Sequence, residues 1–211
     1  MLAAVFLGIA GVCRAQSFDQ HFLDRTLRLD YTFSGNNHQQ QIYLDEMRQS
    51  EGWFGRRVNM DSLLLQGNGQ ITVSDTTGVV LYRHSFSTLF QEWQSTEEAT
   101  RVSKSFENVF LVPMPKQTVD VTVTLFDTHR QVRSSLKHRV NPQDILIRPV
   151  QEGQKWEYLR RSGDSRERID VAFVAEGYRQ DEMDVFRRDC EESIGAMLSH
   201  EPFRSMADRF N

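Results

Sequence analysis

The sequence predicts a mainly β protein: an N-terminal β-sandwich-like domain, then the truncated start of an α/β domain. Three observations carry this. From about residue 27 to 150, apolar and polar residues alternate with the two-residue period of strands that bury one face. A charged stretch, QEGQKWEYLRRSGDSRER at 151–168, then interrupts the pattern and contains Ser162-Gly163-Asp164, the composition of a connector between domains. Beyond it the period becomes helical, with Met183, Phe186, Cys190, Ile194 and Met197 recurring at three and four residues.

Within the first region, 27–33 and 106–112 read as strands. LLLQGNGQITV at 63–73 reads as strand, Asn68-Gly69 turn, strand, and SDTTG then leads into VVLYRH. The clearest alternation is TVDVTVTLFD, with Val119, Val121, Val123 and Leu125 on one side and Asp120, Thr122 and Thr124 on the solvent side. Asp127-Thr128-His129-Arg130 turns the chain into a return strand at 131–140, which Asn141-Pro142 ends, and 145–150 adds a last strand. Many short strands separated by turn residues predict a sandwich rather than a parallel sheet. The domain boundaries expected are 16–150 for the β-domain, 151–168 for the linker and 169–211 for the start of the α/β domain.

In the last region, IDVAFVAEGY is an apolar run ending at Gly177, and an amphipathic helix follows. Asp181, Glu182 and Asp184 favour the helix N-terminus through its dipole, and Pro202 ends it because the residue before proline is pushed from helical geometry. A strand–turn–helix unit cannot bury both faces of its strand alone, so further partner strands are expected.

Composition narrows the function classes. With 39% hydrophobic and 26% charged residues, the chain of 211 residues is ordinary for a globular protein and is not wholesale disordered. A net charge of −4 gives no electrostatic basis for nucleic acid, and Arg56-Arg57, Arg160-Arg161 and Arg187-Arg188 sit among acids. The uncharged run at 2–12 is far shorter than the roughly 20 residues of a membrane span. It ends in Cys13-Arg14-Ala15, a small-x-small pattern that predicts a signal peptide at 1–15, cleavage before Gln16 and export. Lipidation of Cys13, or inclusion of the run in the fold, are the competing readings. If Cys13 leaves with the leader, Cys190 has no disulfide partner, and its place on the helical stripe predicts a packed thiol.

Candidate chemistry starts at His200-Glu201, the first half of the zinc-peptidase pattern H-E-x-x-H. That pattern works because i and i+4 share a helical face. Here position i+4 is Arg204, which cannot bind a cation, and Pro202 breaks the helix, so no metal ligand is assigned in this chain. His21, His38, His84, His129 and His138 show no ligand spacing, and GNGQIT at 67–72 lacks the third glycine of a dinucleotide loop. Trp53, Trp93 and Trp156 either pack or form a stacking platform; EGWFGRR at 51–57 is the best exposed contact loop, with Trp53 and Phe54 as binding candidates. Glu176-Gly177-Tyr178 falls at the carboxyl end of a strand, where α/β sites gather, and is the site-proximal candidate. The alternative is that Gly177 permits the turn and Tyr178 packs.

The segments RLDYTFSGN, QIYLDEM, GWFGRR, LLLQGNGQITV, SFSTLFQEW, SFENVFLVPMPKQ, DILIRP and DVAFVAEGY…HEPF…FN occur in an order that resembles the secreted bacterial IgA-peptidase family of zinc metallopeptidases. The resemblance covers almost the whole chain after the leader. It implies that family's N-terminal accessory domain plus the first strand and helix of its catalytic domain. It also implies an H-E-x-x-H motif beyond residue 211, zinc in the full-length protein but none on this chain, and a chain inactive by itself. The partners implied are the downstream catalytic domain and a protein substrate, immunoglobulin among the candidates. The rival is a non-enzymatic exported module that binds glycan or protein, and the sequence following Asn211 separates the two.

Overall fold

The alternation is realised as two four-stranded sheets. The structure, a computed structural model, describes residues 17–63, 65–151 and 156–211. The expected leader at 1–15, with Cys13 and the cleavage point before Gln16, lies outside the described residues. The chain divides into two compact units, Met1–Gln151 and Glu152–Asn211.

In the first unit one sheet holds β1 (Phe22–Gly35), β2 (Gln40–Glu51), β5 (Lys104–Pro115) and β8 (Ile147–Pro149) in the order β5-β1-β2-β8. Its pairs are antiparallel except that β8 runs parallel to β2. The other sheet holds β3 (Gly69–Asp75), β4 (Val80–Phe86), β6 (Val119–Phe126) and β7 (Val132–Val140) in the order β4-β3-β6-β7, all antiparallel. Two short helices, α1 (Phe18–His21) and α2 (Leu89–Trp93), join the sandwich. Leu27, Leu29, Tyr31 and Phe33 of β1 share one core with Val121, Val123 and Leu125 of β6, all of them without solvent exposure. Burying a side chain of this size contributes about 1.5–3 kcal/mol.

Polar groups are also drawn inside. Tyr31 on one sheet and His138 on the other meet across the core, Oη to Nε2 at 2.6 Å. Burial pushes the Tyr31 phenol up and the His138 imidazole down, so both stay neutral. Asp120, expected on the solvent side, is only 6% exposed, because Arg139 Nε at 2.9 Å and Lys137 Nζ at 3.0 Å cover its carboxylate. Their hydrogen bonds lower its pKa to about 2.

Three elements differ from the sequence pattern, each for a packing reason. β2 carries no clean alternation because Asp30 pairs with Glu46 and Tyr31 with Leu44, which leaves Asp45 as an extra residue. That bulge slips the core-facing series to Ile42, Leu44, Met47. Asn68-Gly69 is not a hairpin turn, since β3 begins at Gly69 itself. A Cβ on Gly69 would lie 2.1 Å from the Phe86 ring, so the glycine serves close packing. The last strand is shorter than 145–150, because Asp144 turns the chain by accepting from Leu146 N at 2.9 Å.

The second unit is built around α3 (Met183–Ser199), preceded by a 3-10 turn at Gln180–Glu182. Glu182 accepts from Arg179 N at 2.9 Å at the start. Cys190 is buried on the predicted stripe. Among the described residues the run from Ile169 forms no ladder strand and has one bridge, Ile169 with Phe210, in parallel. The expected linker at 151–168 is in part built into this unit, through Ser162 Oγ to Phe210 O at 2.7 Å and Arg187 to Glu157 at 2.7 Å. No helix among the described residues is long and apolar enough to cross a membrane.

Candidate functional site

The second unit is organised by backbone and one amide side chain. Asn211 Oδ1 accepts from Ser162 N at 2.8 Å and Gly163 N at 3.1 Å, while its Nδ2 donates to Asp170 Oδ1 at 2.8 Å. Both ends of this amide hold the parallel bridge against the preceding loop. Nothing in the sequence pattern singles out Asn211, because each of its partners lies more than 40 residues away.

At the other end of the run, Gly177 adopts φ +84°, the left-handed region that favours glycine. Tyr178 packs on Phe186 with ring centroids 5.0 Å apart, and its hydroxyl donates to Asp189 Oδ2 at 2.9 Å. That hydrogen bond to a carboxylate is the main cause of the raised Tyr178 pKa. Gly177 therefore makes the turn and Tyr178 ties it to α3. Glu176 is exposed, as is Gly177, and its N–H donates to Val174 O at 2.9 Å.

His200 closes α3. Its Nδ1 lies 2.9 Å from Ala196 O and 2.8 Å from Ser199 Oγ. Glu201 accepts from Arg204 Nε at 2.8 Å and from Ser205 N at 3.3 Å. The pair is used locally as a helix end.

In the first unit the expected contact pair is split. Trp53 is a core residue, 4% exposed, and this corrects its assignment to a binding loop. Its Nε1 donates to Arg56 O at 3.1 Å, its ring meets Tyr82 edge-on at 5.9 Å, and its backbone N–H donates to Asp24 at 2.9 Å. Phe54 next to it is 65% exposed. Of the other tryptophans, Trp93 packs on Phe90 and Phe106 of the sandwich, whereas Trp156 belongs to the second unit and meets Tyr158.

A two-sheet sandwich followed by a strand-like run, a helix and a parallel return defines a two-part protein whose second part opens as an α/β unit. Residues 17–137, more than half of the chain, match the family described as Peptidase M64 N-terminus, and residues 158–211 match IgA Peptidase M64. The chain belongs to the M64 peptidase family and represents its metallopeptidase-related N-terminal region. No curated protein matches it. Among the described residues, no group of three or more His, Cys, Asp or Glu side chains is placed to hold a metal ion. At His200 the i+4 position that would supply a second imidazole is Arg204, a cation that pairs with Glu201 at 2.8 Å.

Proposed function

We propose that this chain is the N-terminal region of an exported zinc metallopeptidase that hydrolyses protein substrates, immunoglobulin among the candidates. The β-sandwich is its accessory module, which positions substrate or shields the catalytic domain. The second unit opens that catalytic domain, whose zinc ligands lie beyond residue 211. The observation that carries this reading is the tandem order of the two family matches, 17–137 then 158–211, on the two compact units.

The test compares the full-length gene product with the 211-residue chain. Elemental analysis should give one equivalent of zinc for the full-length protein and none for the shorter chain. Cleavage of casein and immunoglobulin should appear only with the former and should stop on addition of a chelator. Zinc-dependent cleavage by the 211-residue chain, or a zinc-free full-length product, would overturn the proposal. Full-length His200→Ala should keep its zinc, because that imidazole caps a helix.

A further inference from the structure

The bridge in the second unit has the bonding of a parallel ladder. Ile169 N–H donates to Arg209 C=O at 2.8 Å, Asn211 N–H donates to Ile169 C=O at 3.0 Å, and Val171 N–H donates to Asn211 C=O at 3.2 Å. The next rung of such a ladder uses Val171 C=O as acceptor and Phe173 N–H as donor. Among the described residues neither group has a backbone partner. Side chains beside them line an apolar concavity of about 760 Å³, in which Val171 and Phe173 join Phe186, Cys190, Ile194 and Met197. Val171 and Phe173 are 41% and 39% exposed, a costly arrangement for a run this apolar.

We propose that this edge and groove are the docking site of a parallel β-strand formed by the residues that follow Asn211 in the longer polypeptide. The inference rests on the proposed function only for the existence of that longer chain. The register is already set: Asn211 is held by Ser162, Gly163 and Asp170, and its carbonyl is bonded to Val171. Continuation of the backbone therefore enters the ladder at Val171 and Phe173 with no loop to close, an advantage that a separate peptide or a second copy lacks. Alternate residues of the added strand cover the stripe of α3, which becomes the crossover helix of a βαβ unit.

Residue-resolved hydrogen exchange on the 211-residue chain and on the full-length product tests this. The Val171 amide, already bonded, is the internal reference and should be protected in both. The Phe173 amide should exchange near the unstructured rate in the 211-residue chain and roughly 100-fold or more slowly in the full-length protein. Equal Phe173 rates in the two proteins overturn the proposal, as does a reading frame that ends at Asn211. Protection of Phe173 in the 211-residue chain that grows with protein concentration also overturns it, in favour of a second copy. Zinc content measured on the same samples separates the two claims. Phe173 protection without zinc keeps the strand and sinks the metallopeptidase, and zinc without protection does the reverse.

Discussion

β1 and the run from Ile169 to Val174 both carry large apolar side chains, yet Leu27, Leu29, Tyr31 and Phe33 are sealed while Val171, Phe173 and Val174 are 41%, 39% and 83% exposed. The difference lies in their neighbours. β1 is bonded on both edges, to β2 and β5, and a second sheet covers its inner face. Among the described residues the later run has a single parallel bridge and one helix beside it. Apolar sequence thus states a demand for burial, and ladder partners decide whether it is met.

The sharpest way to break this comparison is to charge each region in turn. Val121→Asp places an unpaired carboxylate in the shared core and should cost more than about 4 kcal/mol, enough to unfold the sandwich. Val174→Asp should stay within about 0.5 kcal/mol. Urea denaturation of each variant, followed by tryptophan fluorescence and circular dichroism, measures both. Equal losses would mean that the exposure of Val174 is not a property of the folded chain.

A smaller effect is expected where the core holds polar groups. Tyr31→Phe removes the partner of His138 Nε2, whose Nδ1 is already buried without one. The cost should be about 1–3 kcal/mol, read from the shift of the same denaturation midpoint. An unchanged midpoint would show that this cross-sheet contact adds nothing.

The pH dependence of stability sharpens the point further. Burial holds the His138 pKa in the fold below its ordinary 6.5, so the unfolded chain takes the proton first. The stability is complete above that value and falls as the pH drops below it toward the lowered folded pKa. His84, depressed for the same reason, adds to the same limb. Asp120, held down to about 2, acts in another window: its contribution is present above 3.8 and is lost as pH falls toward about 2. His138→Gln should reduce the slope in the upper window, leaving the part due to His84, and spare the lower one, whereas Asp120→Asn should act only on the lower one, in midpoints measured across pH. A single shared slope would refute the separation.

The smallest change is expected at Thr124→Lys on the outer face, opposite Ser135 and Gln70, at within about 0.5 kcal/mol. A loss as large as that of Val121→Asp would show that the two faces of β6 are misassigned.

How much was legible in the sequence follows from the range of the forces. β6 could be read directly, because strict alternation from Val119 to Leu125 maps onto one buried face. The α3 stripe and its stop before Pro202 were equally plain, being set by residues within a turn of each other. β2 was hidden, since the bulge at Asp45 breaks the period that reveals a strand. Gly69 was misread as a turn because a glycine needed under the Phe86 ring looks the same in sequence as one needed for φ. Of the candidate site residues, Gly177 was legible as a turn, whereas the tie from Tyr178 to Asp189 was not.

The sequence by itself determined the two-part plan, the strand-rich first unit and the helix of the second, all through local periodicity, proline and side-chain chemistry. Tertiary structure alone decided that Trp53 goes inward while Phe54 goes out, that Asp120 is capped by Arg139 and Lys137, that Tyr31 finds His138, and that Asn211 clamps Ser162 and Asp170. The physical reason is that burial and pairing of a polar group depend on which distant strand or loop arrives beside it, and no local pattern encodes that arrival.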